Sequence, residues 1–241
     1  MKRYLAFLLL LLFACKTPEM PQQPVLKPIE DSPPAGYTTT VDGQTIAYSI
    51  YPAEAGSPAV ILLHMLRRTR TDWDGIAKWL QKNGYSVITI DSRGHGQSTG
   101  NWEQFTPEDF NKMVNDVAAA KSVLEAQQAD VSKLAIIGAS IGANTALNYG
   151  ISDPDVKTVV LLSPGLEFRG VKTEATIAQF KHPLLIVASE DDKYSADSSR
   201  ELANKNPLAK LVMYQNVGHG TNMFAQKELA PTILDWLKKN V

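Results

Sequence analysis

Polar and apolar residues alternate at the start of the region predicted to fold, and short apolar runs follow. The alternating stretches 37–41 and 44–51 flank Asp42-Gly43, a dipeptide typical of tight hairpin turns. Later apolar runs, each short enough to be a strand buried on both faces, cover 60–63, 85–91, 134–137, 159–162, 184–187 and 211–214. The pattern predicts an antiparallel hairpin followed by a mainly parallel sheet, with eight strands in all.

Helical periodicity occupies the segments between these strands. The predicted helices run from Thr71-Asp72 to Asn83-Gly84, from Pro107 to about Gln128, after Ser140, and over about 173–180, 198–203 and 229–237. Strands that alternate with helices are typical of a sheet covered on both faces. No internal repeat and no second linker interrupt this pattern, so we predict one α/β domain over 36–241.

The first 14 residues have the pattern of an export signal. Lys2-Arg3 precedes an unbroken apolar run over 5–14. That run is too short for a stable membrane span, which needs about 20 residues. A basic start followed by a short apolar stretch is typical of a secretory signal peptide.

The signal is followed by a cysteine and a proline-rich segment. Leu12-Phe13-Ala14-Cys15 resembles the lipobox of bacterial lipoproteins, and this resemblance implies lipid attachment to Cys15. Six of the 14 prolines lie between 16 and 34, so residues 15–35 are predicted to be a semi-rigid tether. The expected location is the bacterial cell envelope, tethered to the membrane and facing the periplasm or the exterior. The alternatives are an ordinary signal peptide with an incidental cysteine, or an uncleaved anchor.

The composition excludes several classes of protein and of functional site. With 44% hydrophobic and 20% charged residues, the 241-residue chain is neither wholly disordered nor collagen-like. The 24 Lys+Arg and 25 Asp+Glu residues give a net charge of -1, which provides no broad field for nucleic acid. A single cysteine excludes an internal disulfide, a cysteine-based zinc site and an iron–sulfur cluster. No metal-ligand spacing or phosphate-binding loop is present, so we predict no cofactor and no metal.

One serine lies in a motif that activates nucleophiles. Gly138-Ala139-Ser140-Ile141-Gly142 follows a predicted strand and precedes a predicted helix. In such a G-x-S-x-G turn, the flanking glycines allow a sharp bend that exposes the serine hydroxyl. The alternative is a turn of small residues with an idle serine.

A serine nucleophile needs a base, and the chain has four histidines. His219 follows the last predicted strand, where the base of a Ser–Asp–His order is expected. His182 precedes a strand and therefore lies at the opposite edge of the sheet.

Three consecutive acids follow the strand over 184–187. Glu190, Asp191 and Asp192 are all candidates to orient the histidine, and Asp192 is preferred over Asp191, which is preferred over Glu190. For any single acid, the alternative is a solvated position in an acidic turn.

Together these motifs resemble the α/β-hydrolase superfamily over about 37–241. The loop 62–66 resembles the superfamily's His-Gly loop after the third strand, and 91–98 resembles its D-x-R-G-x-G-x-S segment. The resemblance implies the catalytic triad Ser140, Asp192 and His219. It also implies an oxyanion hole formed by the backbone N–H groups of Ile141 and Leu66. The other polar residues of these motifs are expected to be structural: His64, Asp91, Arg93 and His95.

Two features bear on the substrate. Only residues 163–183 separate two consecutive strands where many superfamily members insert a lid, so a minimal lid and small or exposed substrates are expected. Arg67, Arg68 and Arg70 follow the oxyanion loop and are candidates to bind a carboxylate or phosphate of the substrate. The alternative for these arginines is a solvated stretch or a contact with an anionic membrane surface.

The resulting functional hypothesis is hydrolysis of a small carboxylic ester or thioester through an acyl-enzyme. Dienelactone hydrolases share the lidless architecture but use cysteine, and haloalkane dehalogenases place aspartate where this chain has Ser140. The alternatives are amide or peptide hydrolysis, and a non-catalytic scaffold tethered to the membrane. The sequence indicates no oligomeric state.

Overall fold

The computed structural model describes residues 33–241, which contain ten strands and seven α-helices. The strands are β1 (Ala35–Thr39), β2 (Thr45–Tyr51), β3 (Pro58–Leu63), β4 (Ser86–Ile90), β5 (Asp130–Ala139), β6 (Val156–Leu162), β7 (Glu167–Phe168), β8 (Val171–Lys172), β9 (Leu184–Ser189) and β10 (Ala209–Tyr214). The helices are α1 (Asp74–Lys82), α2 (Pro107–Asn111), α3 (Met113–Ala126), α4 (Ile141–Gly150), α5 (Glu174–Ile177), α6 (Lys193–Lys205) and α7 (Leu229–Asn240).

Eight of these strands form one sheet in the order β1-β2-β4-β3-β5-β6-β9-β10. The β1–β2 and β2–β4 pairs are antiparallel, and every other pair in the sheet is parallel. The predicted hairpin and the predicted eight-stranded, mostly parallel sheet are therefore confirmed. This is the α/β-hydrolase fold.

The apolar runs are continuous because both faces of the sheet are covered. Along β3, Ile61 and Leu63 belong to one apolar core, and Val60 and Leu62 belong to the core on the other face. All four side chains are at most 1% exposed. Since full burial of such a side chain contributes roughly 1.5–3 kcal/mol, the central strands hold the sheet between its two helical layers.

Two helix boundaries differ from the prediction. The helix expected over 107–128 is divided at Lys112 into α2 and α3, and Thr106 caps α2 in a reciprocal pair of hydrogen bonds with Asp109. The helix expected to begin at Thr71-Asp72 begins instead at Asp74, after a 3-10 turn. In that turn the Arg70 N–H donates to the Asp91 carboxylate at 2.7 Å, a long-range contact that helical periodicity does not report.

The segment between β6 and β9 contains a small hairpin that the sequence analysis missed. Strands β7 and β8 pair antiparallel, with Phe168 opposite Val171, and the helix expected over 173–180 is reduced to α5. Two-residue strands are too short to produce a periodic pattern. Asn144 of α4 holds this hairpin, donating to the Val171 carbonyl at 2.8 Å and accepting from the Gly165 N–H at 3.2 Å.

The described residues from Pro33 to Val241 form one compact unit. The predicted signal peptide over 1–14, the lipid attachment at Cys15 and most of the tether over 15–35 lie outside the described residues and stay predictions. Within 33–241, no helix combines the length and the apolar composition that a membrane crossing requires.

Candidate active site

Ser140 lies at a sharp turn between the carboxyl end of β5 and the first residue of α4. Its backbone has φ 56° and ψ -122°, a conformation that non-glycine residues rarely adopt and that costs of order 1–3 kcal/mol. The Ser140 N–H donates to the Leu162 carbonyl of β6 at 2.9 Å. The turn is thus held against the neighbouring strand, and the serine is 6% exposed.

The turn requires a glycine two residues after the serine. A Cβ at Gly142 would lie 2.6 Å from the carbonyl oxygen of Leu63 and 2.7 Å from that of His64. These are backbone atoms at the end of β3 and cannot move as a side chain could. The close approach places the start of α4 directly against the loop that follows β3.

Two backbone N–H groups are unused near the serine. In the described part of the chain, neither Ile141 nor Leu66 donates a backbone hydrogen bond to a protein acceptor. Ile141 is the first residue of α4, where the N–H has no partner within the helix and the helix dipole favours negative charge. The two N–H groups predicted to bind an oxyanion are therefore available for one.

His64 fixes the shape of the loop that carries Leu66. The His64 side chain is fully buried, its Nδ1 lies 2.7 Å from the Met65 carbonyl, and its Nε2 accepts the Ser92 N–H at 3.0 Å. Because the Ser92 N–H can only donate, Nε2 of His64 must be the acceptor and carries no proton. The proton is therefore on Nδ1, which donates to the Met65 carbonyl. Burial, with the neighbouring His95, lowers the pKa of His64 to about 4 and keeps the imidazole neutral. These contacts indicate a structural role for His64, as predicted.

Met65 occupies space left by a glycine on another loop. A Cβ at Gly220 would lie 2.2 Å from the Met65 sulfur and 3.4 Å from Cβ of Ala139. Met65 is 7% exposed and belongs to the core cluster that also contains Ala139. The loop after β3, the strand before Ser140 and the residue after His219 are therefore in mutual contact.

His219 is bonded to one acidic side chain. Its Nδ1 lies 2.5 Å from Oδ2 of Asp192, and the Ser195 hydroxyl lies 3.5 Å from the same nitrogen. Burial acts to raise the pKa of Asp192, but hydrogen bonds with His219, Ser195 and Ser163 outweigh it and hold that pKa below its usual value. Asp192 is therefore a charged acceptor beside the imidazole.

The other two acids of the turn have different partners. Asp191 accepts the Gly218 N–H at 3.2 Å and the Ser189 hydroxyl, and these bonds position the loop before His219. Glu190 forms an ion pair with Arg200 of α6. Each of the three consecutive carboxylates is thus bonded to a different group, and only Asp192 reaches the histidine.

Ser163 supports the histidine loop from the neighbouring strand end. Its hydroxyl accepts the Gly220 N–H at 2.9 Å and contributes to lowering the pKa of Asp192. The sequence analysis missed both Ser163 and Ser195. Ser163 follows β6 at the carboxyl edge of the sheet, so the rule that identified the other strand ends could have found it.

No hydrogen bond joins Oγ of Ser140 to the His219 imidazole among the described residues. The residues next to them lie close together, since a Cβ at Gly220 would lie 3.4 Å from Cβ of Ala139. Hydrogen bonds between a nucleophile and its base are often long in substrate-free enzymes and tighten in the reacting complex.

The three arginines after the oxyanion loop have unequal surroundings. Arg70 donates to Ser49 at 3.1 Å, to Gln97 at 2.6 Å and to Asp91, and its side chain is 12% exposed. We therefore correct the predicted anion clamp by removing Arg70, whose guanidinium is used by the scaffold. Arg68 forms two hydrogen bonds with Asp72, at 2.6 and 2.8 Å. Arg67 has no such partner in the described chain, and its guanidinium lies 5.4 Å from the ring centroid of Trp102.

Buried polar side chains of the segment 91–98 form a structural scaffold. Arg93 is 3% exposed and bonds Asp116 at 2.8–2.9 Å and Asp42 at 2.7–3.0 Å. His95 is also buried, and its Nδ1 lies 3.0 Å from the Arg93 carbonyl. These contacts join the β1–β2 turn to α3 and are structural.

An apolar wall borders the site on the side of the small hairpin. Its members are contributed by both oxyanion loops, the segment 102–113 and the hairpin: Leu66, Trp102, Phe105, Phe110, Met113, Ile141, Phe168 and Val171. The Phe168 ring lies 6.2 Å from the His219 ring. The sequence analysis missed the contributions of Trp102 and Phe168, because neither belongs to a motif or to a long periodic segment.

Other features of the surface do not converge on Ser140. A cavity of about 640 Å³ lies beside the start of β3 and the end of α1, at the edge of the sheet opposite the serine. In the part of the chain that the structure describes, no group of three or more His, Cys, Asp or Glu side chains could hold a metal ion.

Comparisons with known proteins find similarity in both sequence and fold. Residues 56–172 match the sequence model described as "Serine aminopeptidase, S33". An esterase of Pyrococcus furiosus, Pf2001, superposes with a TM-score of 0.71 at 19% identity, over 86% of this chain and 92% of the esterase. The chain therefore has the α/β-hydrolase fold and is similar in sequence to this serine aminopeptidase model over 56–172.

Two curated relatives extend the similarity in sequence. Thiohydrolase aneE of Aspergillus aculeatus is 27% identical over 210 residues, which are 80% of this chain and 63% of that protein. A bifunctional esterase/perhydrolase of Acinetobacter calcoaceticus is 28% identical over 215 residues, which are 86% of this chain and 68% of that protein. The chain thus spans about two thirds of the length of each.

Proposed function

We propose that this protein is a serine hydrolase that cleaves small or exposed carboxylic esters or thioesters through an acyl-enzyme. The proposal rests on a strained serine at the head of α4 and on a histidine that is bonded to a charged aspartate at 2.5 Å, on a loop that packs close to the strand before the serine. The relatives named as an esterase/perhydrolase and a thiohydrolase support the same class of reaction.

In the proposed first half-reaction, Nε2 of His219 takes the proton of Ser140 as Oγ attacks the carbonyl carbon. The carbonyl oxygen becomes an oxyanion, which accepts hydrogen bonds from the backbone N–H groups of Ile141 and Leu66. Asp192 accepts the Nδ1–H of His219 and stabilises the imidazolium that forms. The tetrahedral adduct then collapses, the alcohol or thiol leaves with the proton from Nε2, and the acyl group stays on Ser140.

The second half-reaction repeats these steps with water. His219 takes a proton from water, and the resulting hydroxide attacks the acyl carbon. The new oxyanion again accepts hydrogen bonds from the two backbone N–H groups. Ser140 leaves with the proton returned by His219, and the carboxylic acid is released. The short β7–β8 hairpin provides little cover, which is why we propose small or exposed substrates rather than lipids enclosed under a lid.

A fluorophosphonate probe tests the proposal, because it labels an activated serine whatever the natural substrate. The wild-type protein is expected to be labelled at Ser140 and to hydrolyse p-nitrophenyl butyrate. Ser140→Ala is expected to lose both labelling and turnover while retaining the wild-type melting temperature. Ser132→Ala, which removes an exposed serine near the start of β5, is the matched control and is expected to retain both.

Labelling is also the measurement that separates the enzyme from a non-catalytic scaffold. A folded wild-type protein that neither reacts with the probe nor hydrolyses the ester would favour the scaffold. Turnover that persists in Ser140→Ala would remove Ser140 from the mechanism.

We also propose that the domain is exported and tethered by a lipid on Cys15. The lipobox-like segment and the proline-rich stretch support this location. Incorporation of a labelled fatty acid, compared between the wild type and Cys15→Ser, tests it, and an unlabelled wild-type protein would contradict it.

A further inference from the structure

Two arginine side chains lie over the same tryptophan at the border of the candidate active site. The Arg67 guanidinium is 5.4 Å from the ring centroid of Trp102, and that of Arg169 is 5.9 Å from it. The two cations therefore lie within about 11 Å of each other. They come from sequence-distant elements, the oxyanion loop and the tip of the β7–β8 hairpin.

Neither arginine is neutralised by the described part of the chain. No carboxylate of residues 33–241 lies within 4.0 Å of either guanidinium, and both residues are exposed. Asp72, the carboxylate nearest to Arg67 in sequence, is bonded to Arg68, and Glu167, two residues before Arg169, forms no ion pair with it. Cation–π contact with Trp102 orients the two groups but leaves their charge unbalanced.

The protein holds both arginines on well-anchored segments. Arg67 follows Leu66, whose loop is fixed by the buried His64. Arg169 is followed by Gly170, whose carbonyl accepts the Asn111 side chain at 3.1 Å, while Asn144 bonds the next carbonyl. The hairpin tip is therefore tied to both α2 and α4, and the two charges are positioned before any ligand binds.

Both arginines adjoin the residues of the candidate active site. Leu66 and Ile141, whose N–H groups are the proposed oxyanion donors, share the apolar wall with Trp102 and Phe168. Arg67 directly follows Leu66, and Arg169 directly follows Phe168, whose ring lies 6.2 Å from that of His219. A planar guanidinium binds a carboxylate through two parallel hydrogen bonds, and two of them can share one carboxylate.

We propose that Arg67 and Arg169 form an anion subsite beside the candidate active site that selects esters bearing a carboxylate. This inference rests on the proposed ester hydrolysis at Ser140. It differs from the clamp predicted from the sequence, since Arg68 and Arg70 are committed to Asp72 and Asp91 and Arg169 comes from a distant hairpin.

The test compares esters that differ only in charge. On the acyl side, the mono-p-nitrophenyl ester of adipic acid is compared with p-nitrophenyl hexanoate. On the alcohol side, 3-carboxy-4-nitrophenyl butyrate is compared with p-nitrophenyl butyrate, and enzyme-free rates are subtracted in every case. We expect the anionic ester to be preferred in kcat/KM in one of the two pairs, and the preferred pair identifies the side that faces the subsite.

Variants then assign the preference to the two arginines. Arg67→Gln and Arg169→Gln are each expected to reduce the anionic-to-neutral ratio of kcat/KM about fivefold, the factor that corresponds to an exposed charge pair. Arg169→Lys keeps the charge without the planar group and is expected to recover part of the ratio. Raising the salt concentration is expected to reduce the wild-type ratio.

Lys172→Gln is the matched control, since it removes one positive charge from the same hairpin. Lys172 pairs opposite Glu167, whereas Phe168 and Val171 occupy the alternate positions that belong to the apolar wall. An unchanged ratio in this variant would show that position, not general charge, determines the preference. If Lys172→Gln lowers the ratio as much as Arg169→Gln does, the subsite is overturned.

Different outcomes would overturn the anion subsite and the proposed ester hydrolysis. Hydrolysis of the neutral esters without any preference for an anionic partner would overturn the subsite and leave ester hydrolysis intact. Hydrolysis of none of the four esters, together with no fluorophosphonate labelling, would overturn both.

Discussion

Single residues acquire their roles through partners that are distant in sequence. The acidic turn shows this most clearly: Glu190 pairs with Arg200, Asp191 holds the loop before His219, and Asp192 bonds the imidazole. Three adjacent carboxylates of the same chemistry thus have three separate partners. Their order of preference could be argued from the sequence, but their partners could not.

Asparagine substitutions separate the roles of the two aspartates. Asp192→Asn keeps the shape of the side chain but loses the charge that stabilises an imidazolium, so kcat for p-nitrophenyl butyrate is expected to fall about 10³–10⁴-fold. Asp191→Asn retains an oxygen that can accept the Gly218 N–H, so a much smaller loss is expected. Circular dichroism and melting temperatures control for folding. A larger loss in Asp191→Asn would transfer the orienting role to that residue.

At the scale of elements, the serine turn depends on how closely α4 approaches the end of β3. That approach places the first residues of α4 directly against the loop after β3, the two segments that carry the proposed oxyanion donors. The turn residues and the flanking strand and helix were all predicted. The small β7–β8 hairpin was not, although it contributes Phe168 and Arg169 to the border of the site.

Two glycine substitutions test this account of the turn. Gly142→Ala places a Cβ 2.6–2.7 Å from two backbone carbonyl oxygens, so it is expected to destabilise the domain by about 1–3 kcal/mol and to reduce esterase activity. Gly75→Ala in α1 meets nothing within 4 Å and is expected to stabilise by about 0.5–1 kcal/mol through helix propensity. Urea unfolding measures both changes. Equal stabilities for the two variants would contradict the close approach at Gly142.

At the scale of the whole molecule, a buried neutral histidine couples folding to pH. His64 has a pKa of about 4 in the folded protein and about 6.5 when exposed, because burial disfavours its charged form. Between these values the unfolded chain binds a proton that the folded chain does not. The stabilisation is therefore complete above pH 6.5 and is lost as pH falls towards 4.

The slope of stability against pH measures this effect. We expect the free energy of unfolding to fall by up to about 1.4 kcal/mol for each pH unit between 6.5 and 5 on account of His64. His95, whose pKa burial also lowers, contributes in the same direction. In His64→Gln the slope is expected to be shallower by the amount that corresponds to about one bound proton. The free energy of unfolding at pH 7.5 is expected to be lower by about 1–3 kcal/mol.

His182→Gln is the matched control for the pH experiment. This histidine is partly exposed, lies just before β9 and contacts none of the active-site loops described above. It is expected to retain the wild-type slope in urea titrations at pH 5.0, 5.8, 6.5 and 7.5. A wild-type slope in His64→Gln would show that this histidine is not the source of the pH dependence.

Much of the fold could be predicted because its signals are local. Apolar runs identified the later strands of the main sheet, since a strand buried on both faces is apolar along its length, and alternation identified the first two strands. The pattern Gly-x-Ser-x-Gly between a strand and a helix likewise identified Ser140 from five adjacent residues. Errors arose where structure is too short to be periodic, as in β7 and β8, or where a helix is interrupted, as at Lys112.

The sequence by itself determined the α/β-hydrolase fold, the candidate nucleophile and the position of His219 after the last strand, because each follows from residues that are close together in the chain. Only the tertiary structure decided which carboxylate, 27 residues before His219, reaches its imidazole. It also decided that Arg70 pairs with Asp91, while Arg67 and Arg169 both lie within 6 Å of the Trp102 ring centroid. The physical reason is that hydrogen bonds and ion pairs act over a few ångströms in space. The partner of a charged side chain is therefore set by which loops the packed sheet brings together, and no local pattern records that.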